Sequence, residues 1–153
     1  MEKYIGVKMI SAEPAVEGGF PKAGVYGGIT ARDGYKVIYE DGYESWSPTD
    51  VFEKAYRPTS GMTFGLAIEA MKKGLKVSRT GWNGSGIFAV LSPGKKGLPA
   101  SDFFNPHLSK HALAIGGVMD VRPEFMLKTA QEDVAYWAPS GSDCLGEDWY
   151  IVD

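Results

Sequence analysis

The chain has 153 residues, 44% hydrophobic and 23% charged, with a formal net charge of -3. This composition is typical of a soluble globular protein and excludes disordered, collagen-like and disulfide-stapled classes. The near balance of acidic and basic residues gives no basic surface, so polymeric nucleic acid is not expected as a partner. A single cysteine, Cys144, fits a reducing compartment, and no apolar run is long enough to span a membrane. The sequence therefore predicts a cytoplasmic protein with no membrane partner.

Residues 1–58 are predicted to form an N-terminal β-rich module. A strand is expected over residues 3–12, and a hairpin is expected where residues 35–39 and 43–46 flank Asp41-Gly42, a dipeptide that favours tight hairpin turns. Ser47-Pro48 is typical of a helix start and predicts a short helix with Ser47 at its N-cap. The helix breakers and small polar residues of 56–61 indicate a module boundary.

Residues 61–153 are predicted to form a second, α+β domain. Apolar residues recur at helical spacing after Thr63, which predicts a helix over residues 64–73 that is capped by Thr63 and ended by Gly74. Strand-like segments follow at residues 75–79, 87–91, 124–129, 134–138 and 148–152. The expected architecture is a small antiparallel sheet packed on one main helix. Residues 92–121 show no sustained period and are predicted to be a long irregular loop, a type of segment that is often functional.

No catalytic constellation is evident in the sequence. His107 and His111 have the i, i+4 spacing of zinc ligands, but no third ligand accompanies them. Cys144 has acidic neighbours, a setting that is not typical of a catalytic cysteine. Ser85 lies in a predicted hairpin and not in a nucleophile elbow. The sequence therefore predicts no enzyme activity, no cofactor and no metal.

Several residues fit a binding site for a planar, polar ligand. Trp82, Trp137 and Trp149 lie beside turn glycines and small hydroxyl residues. Stacking of an aromatic side chain on a nucleobase contributes about 1–3 kcal/mol, and Asn83, together with Ser140 and Ser142, could supply hydrogen bonds. The alternative interpretation is that the tryptophans belong to the hydrophobic core.

The second domain resembles a known family, the phage-encoded Thoeris anti-defence 2-like domain. The resemblance covers residues 61–153 apart from the 92–121 segment and depends on the order and spacing of tryptophan motifs. Those motifs are Met62-Thr63-Phe64-Gly65-Leu66-Ala67, Val77-x-Arg79-x-Gly81-Trp82-Asn83-Gly84-x-Gly86, Met126-Leu127-Lys128-Thr129-Ala130, Tyr136-Trp137-Ala138-Pro139-Ser140 and Asp143-Cys144-Leu145-x-Glu147-Asp148-Trp149. Residues 1–58 resemble a module found ahead of this domain in some phage proteins.

The resemblance implies a sponge for cyclic nucleotides that acts in the cytoplasm of the infected bacterial host. Members of the family bind glycocyclic ADP-ribose, the signal of bacterial Thoeris systems, and hold it without cleaving it. Some members also capture cyclic di- or trinucleotides of other defence systems such as CBASS. They form homo-oligomers, so a dimer or tetramer is expected, with pockets at the subunit interfaces.

The resemblance also implies which residues would bind the ligand. Trp82 and Trp137 are the candidates for stacking on adenine, with Phe88 and the Gly84 turn beside them. Arg79 and Lys128 are the candidate cations for the diphosphate. The polar candidates for the ribose and phosphates are Asn83, Ser140, Ser142 and Asp143. Gly141-Ser142 replaces a Gln-Thr pair of many relatives, and Ser85 replaces a lysine, which points to altered phosphate contacts.

Two other functional classes are also compatible with the sequence. A nucleotide-processing enzyme would require an acid or base of perturbed pKa beside the pocket. A phage structural or protein-binding module would use an exposed aromatic surface, with the 92–121 segment as its contact.

Overall fold

The computed structural model describes residues 1–153, which divide into two units, Met1–Pro58 and Thr59–Asp153. The first unit contains five strands and one helix. They are β1 (Ile10–Val16), β2 (Gly24–Tyr26), β3 (Ile29–Ala31), β4 (Asp33–Tyr39), β5 (Glu44–Pro48) and α1 (Thr49–Ala55). Strands β1, β4 and β5 form an antiparallel sheet in that order, and β2 pairs with β3.

The hairpin predicted around Asp41-Gly42 is confirmed. Strands β4 and β5 pair in antiparallel register, and Gly42 has a φ of 83°, the left-handed region that glycine adopts without steric cost. At Gly34 a side chain is excluded, because a Cβ atom would lie 2.2 Å from the Ser47 carbonyl oxygen and 2.5 Å from the Trp46 ring. The close approach of β5 to β4 therefore depends on this glycine.

Two sequence expectations for this unit are wrong. The first strand begins at Ile10 and not at residue 3, because its register pairs Ile10 with Tyr39, the last residue of β4, so earlier residues have no neighbouring strand. Ser47 does not cap α1. It pairs with Tyr35 inside β5, and Pro48 occupies the N-cap position without a side-chain hydrogen bond.

The second unit contains one larger sheet and three helices. Its elements are α2 (Phe64–Lys72), β6 (Lys76–Arg79), β7 (Phe88–Ser92), β8 (Lys95–Pro99), α3 (Pro106–Ala114), β9 (Val118–Val121), β10 (Glu124–Lys128), β11 (Val134–Tyr136), α4 (Gly141–Leu145) and β12 (Trp149–Val152). Five strands form an antiparallel sheet in the order β11-β10-β7-β6-β12. Helix α2 packs against β6, β7 and β12, which confirms the predicted α+β architecture. No helix in either unit combines the length and the apolar character needed to cross a membrane.

The core of the second unit lies between α2 and one face of this sheet. Ala67 and Met71 of α2 are buried against Val77, Ala89 and Trp149 of the strands. The predicted start of α2 is confirmed, because the Thr63 hydroxyl accepts a hydrogen bond from the Leu66 amide at 3.4 Å. Because side chains alternate along a strand, the opposite face carries the neighbours of the core residues. These include Lys76, Ser78, Phe88, Lys128, Tyr150 and Val152.

The prediction of a long irregular loop over residues 92–121 is wrong. Strands β8 and β9 pair in antiparallel orientation, and the chain that connects them forms α3, with Asn105 as its N-cap. The pairing is interrupted between Lys95 and Leu98, and the helix has only nine residues. Elements this short produce no sustained hydrophobic period, so the sequence pattern did not reveal them.

Candidate functional site

A cleft of about 550 Å³ opens on the sheet face opposite α2, beside the β6–β7 turn. Arg79, Trp82, Gly84 and Phe88, four of the residues predicted as ligand contacts, line it. The remaining lining residues were not predicted as contacts: Lys76, Ser78, Thr80, Gly86, Ile87, Tyr150 and Val152. The positions of most of these residues on the open face can be derived from strand alternation once β12 is known to pair with β6. That pairing joins segments about 70 residues apart, and no local sequence signal specifies it.

Trp82 lies at the edge of the cleft, with its ring fixed by polar and aromatic contacts. Its indole Nε1 donates a hydrogen bond to Asp143 Oδ1 at 2.9 Å. Its ring meets those of Trp137 and Trp149 edge to face, at centroid distances of 5.6 and 5.2 Å. The ring orientation is therefore set before any ligand arrives, which lowers the entropic cost of stacking a base on it.

Asp143, a predicted ligand contact, is a buried acceptor of hydrogen bonds from three residues. Its Oδ1 accepts from Trp82 and from Arg79 Nη1, and its Oδ2 accepts from the backbone amide and the hydroxyl of Ser140 at 2.9 and 2.8 Å. Burial alone would raise the pKa of Asp143, but these hydrogen bonds outweigh burial and lower the pKa to about 2. The carboxylate is thus charged at neutral pH and joins α4 to the β6–β7 turn.

Arg79 lies between two carboxylates. Its Nη1 donates to Asp143 at 3.0 Å, and its Nε donates to Asp148 Oδ1 at 2.8 Å. The hydrogen bond to Asp148, followed by the one to Asp143, raises the pKa of the Arg79 guanidinium above its ordinary value. The other oxygen of Asp148 accepts from the Gly81 amide at 2.8 Å. Because two anions already neutralise Arg79, its clearest role is to hold the turn that carries Trp82.

Lys76 lines the cleft, and Lys128 contacts the cleft wall at Gly86. The Lys76 ammonium lies 5.5 Å from the centroid of the Phe88 ring and donates to the Asp153 carbonyl at 2.8 Å. The Lys128 ammonium donates to the Gly86 carbonyl at 3.2 Å and forms an ion pair with Glu132. Phe88 is the direct cross-strand neighbour of Lys128, so an aromatic ring lies between two cations on the open sheet face.

The other predicted contacts lie beside this cleft or behind it. Ser140 is the N-cap of α4, and its hydroxyl oxygen is 2.9 Å from that of Ser142. Asn83 is exposed at the tip of the β6–β7 turn. Trp137 is half-buried and packs edge to face on Phe64 and Trp82. The structure thus joins Arg79, Trp82, Ser140 and Asp143 in one hydrogen-bond network with Ser142 at its margin, and it places Lys128 at the far side of the β6–β7 turn.

Trp149 is a core residue, which agrees with the alternative interpretation of the tryptophans. Its side chain is fully buried, and its indole Nε1 donates to the Asp143 carbonyl at 3.0 Å. His107 and His111 lie on α3, and the chain holds no group of three or more side chains arranged to bind a metal ion. Cys144 is exposed on α4.

The fold and cleft define a small α+β domain in which one helix covers one sheet face and the other face carries an open cleft. Residues 62–152 match the model of the Thoeris anti-defense 2-like domain, and the chain belongs to this family. The chain is also 36% identical over 94 residues to Thoeris anti-defense 2 of Bacillus phage SP01, an alignment that covers 60% of this chain and 94% of that relative. The resemblance predicted from the tryptophan motifs is confirmed. Residues 1–61 lie outside the part matched by the family model.

Proposed function

We propose that this protein counters Thoeris defence by binding the cyclic nucleotide signal, glycocyclic ADP-ribose, in the cleft beside Trp82 and withholding it from its receptor. Membership of the Thoeris anti-defense 2-like family supports the anti-Thoeris role. The observation that carries the mode of action is a cleft of about 550 Å³ lined by the fixed Trp82 ring, the Phe88 ring and the Lys76 ammonium, with the Lys128 ammonium against its wall at Gly86.

The chemistry of the cleft matches the parts of such a ligand. A purine can stack on Trp82 or Phe88, and each stacked base contributes about 1–3 kcal/mol. A diphosphate carries two negative charges, which Lys76 and Lys128 can neutralise from either side of Phe88. To capture a signal present in trace amounts, the protein requires a nanomolar Kd, which corresponds to a binding free energy of about -12 kcal/mol. Because the Trp82 ring is already fixed, less entropy is lost on binding and fewer contacts are needed for this affinity.

The two aliphatic hydroxyl groups that line the cleft, those of Ser78 and Thr80, favour holding over cleavage. Ser78 donates its proton to the Ile87 carbonyl at 2.7 Å, and the Thr80 hydroxyl donates to the Asp148 carbonyl at 3.4 Å. Neither hydroxyl is hydrogen-bonded to a side chain that could act as its general base, which nucleophilic attack on a phosphate would require. The bound nucleotide is therefore expected to leave unchanged.

The proposal retains the residues implied by the family resemblance. Trp137 and Ser142 lie next to the network that fixes Trp82, and Asn83 is exposed at the turn tip, so all three can contact a ligand larger than a single base. A second copy of the chain, in a dimer or tetramer, would enclose this side of the ligand. Cyclic di- and trinucleotides are the further ligands to be compared.

The test is recovery of the ligand from the full chain. Purified protein is mixed with glycocyclic ADP-ribose, free ligand is removed by filtration, and the protein is heat-denatured so that the released compound can be identified by mass spectrometry. Recovery of one intact nucleotide per site is expected. A cleaved product would show an enzyme instead, and no depletion of the ligand would contradict the proposal.

Variants then locate the site. Phe88→Ala and Lys76→Met are expected to weaken binding at least about tenfold each, the equivalent of about 1.4 kcal/mol. Lys72→Met is the matched control, because Lys72 is an exposed lysine on α2, on the opposite side of the sheet. Unchanged affinity for Phe88→Ala together with Lys76→Met would place the ligand outside the cleft.

A further inference from the structure

Glu132 occupies an unusual backbone conformation next to the cleft. It has a φ of 65° and is the one residue other than glycine with a positive φ in this chain. Glycine, or less often asparagine, normally occupies such a position, because a longer side chain is sterically disfavoured there. We therefore expect the side chain of Glu132 to have a specific role at this turn.

That side chain reaches the phosphate candidate Lys128. The β10–β11 turn is closed by hydrogen bonds from the Thr129 amide to the Asp133 carbonyl and from the Glu132 amide to the Thr129 carbonyl. In this turn the Glu132 carboxylate forms an ion pair with the Lys128 ammonium. The same ammonium hydrogen-bonds the carbonyl of Gly86, a residue of the cleft wall.

The two partners differ in how freely they can move. The Lys128 side chain is only 18% exposed and is held by the Gly86 carbonyl, whereas the Glu132 side chain is 77% exposed. A phosphate that enters the cleft can displace the exposed carboxylate without moving the lysine. In the free protein the Glu132 carboxylate occupies one of the places around the Lys128 ammonium, next to the cleft wall at Gly86.

We propose that Glu132 is a built-in competitor for the ligand phosphate, one that sets how strongly Lys128 attracts anions to the cleft. This inference rests on the proposed function and adds a residue that determines affinity and specificity. Ligands whose phosphate competes effectively with a carboxylate displace Glu132, while weakly charged nucleotides do not gain from Lys128 at all. The ion pair thereby reduces occupation of the cleft by small cellular anions.

The experiment measures the Kd of glycocyclic ADP-ribose by calorimetry for the full chain. Glu132→Gln keeps the size of the side chain and removes its charge, and it is expected to lower the Kd about 2- to 5-fold, the range that an exposed ion pair contributes. In a Lys128→Met background the same substitution is expected to change nothing. Glu124→Gln is the matched control, since it removes an exposed negative charge from the strand and sheet face that carry Lys128.

Two results would overturn the inference. One is a Kd for Glu132→Gln equal to or higher than that of the unchanged protein. The other is a gain that persists in the Lys128→Met background or that Glu124→Gln reproduces, because either would indicate a general charge effect.

A second probe separates this inference from the proposed function. Thermal unfolding is followed with inorganic pyrophosphate, which tests the anion site without a base. A larger stabilisation of Glu132→Gln than of the unchanged protein, lost in the Lys128→Met background, supports the inference even if the cyclic nucleotide fails to bind. Nucleotide binding with no effect of Glu132→Gln would leave the proposed function standing and the inference wrong. Failure of both probes to bind Glu132→Gln would overturn both.

Discussion

Arg79 and Asp143 form an ion pair of 3.0 Å that is largely withdrawn from solvent, with side-chain exposures of 15% and 11%. It joins the end of β6 to the first turn of α4, across 64 residues of sequence. Asp143 also accepts from the Trp82 indole, so the carboxylate that neutralises Arg79 orients the ring at the edge of the cleft. The stability of the domain and the geometry of its binding site therefore depend on the same network.

Replacement of Asp143 by asparagine is expected to lower the free energy of unfolding by about 3 kcal/mol. The substitution leaves the Arg79 charge with one partner instead of two, and loss of one member of a buried pair costs about 3–5 kcal/mol. Urea denaturation followed by tryptophan fluorescence measures the change. Asp120→Asn is the control, since it breaks an exposed pair with Lys96 and should cost no more than about 1 kcal/mol. Equal losses for the two variants would contradict this account.

The same carboxylate predicts a loss of stability in acid. The pKa of Asp143 is about 2 in the folded protein against an ordinary value of 3.8, so folding favours the charged form. Its contribution is complete above about pH 4 and is lost as the pH falls toward 2. The shift corresponds to about 2 kcal/mol. Arg79 also lowers the pKa of Asp148, which adds in the same direction.

Urea midpoints measured between about pH 6 and pH 2 test this pH dependence. The unchanged protein is expected to lose stability steeply below about pH 4, and Asp143→Asn is expected to show a flatter profile. Parallel profiles for the two proteins would assign the acid sensitivity to other groups.

Much of the fold was predictable because its signals are local. Thr63 before a helical apolar pattern and Gly74 after it specify the ends of α2, and Asp41-Gly42 specifies a hairpin. Each of these depends on residues that are neighbours in sequence. The limits of β1 depend instead on where its partner β4 ends, and the first ten residues contain no such information.

The candidate site was predictable only in part, for the same reason. Arg79 became a candidate only through the resemblance to a known family, and Trp82 through that resemblance and through its place beside turn glycines. The two ion pairs of Arg79, with Asp143 and with Asp148, were not predicted, because they depend on the register in which β12 pairs with β6. Lys76 and Tyr150 have ordinary local sequences, and only their position on the open sheet face makes them candidates.

Gly146 is expected to tolerate no side chain, although its backbone conformation is ordinary. A Cβ atom there would lie 2.7–2.8 Å from the Arg79 guanidinium, which its two carboxylate partners hold in place. Gly146→Ala should therefore lower the free energy of unfolding by about 1–3 kcal/mol. Gly141→Ala is the matched control, because open space surrounds that position at the start of α4. Thermal unfolding of both variants measures the contrast, and similar melting temperatures would mean that Arg79 is free to move aside.

The N-terminal limit of the second unit is set by pairing with β12, and this predicts which fragment folds alone. Met62 is buried and exchanges two backbone hydrogen bonds with Trp149, and the Thr59 carbonyl accepts from the Ile151 amide at 3.0 Å. A fragment of residues 59–153 is expected to unfold cooperatively and to bind the nucleotide as the full chain does. A fragment of residues 64–153 loses these hydrogen bonds and the buried Met62 side chain. Replacement of a buried methionine by alanine alone lowers the free energy of unfolding by about 2–5 kcal/mol. The shorter fragment should unfold at a clearly lower urea concentration. Met62→Ala in the longer fragment separates side-chain burial from backbone pairing, and equal stability of the two fragments would show that residues 59–63 are dispensable for the fold.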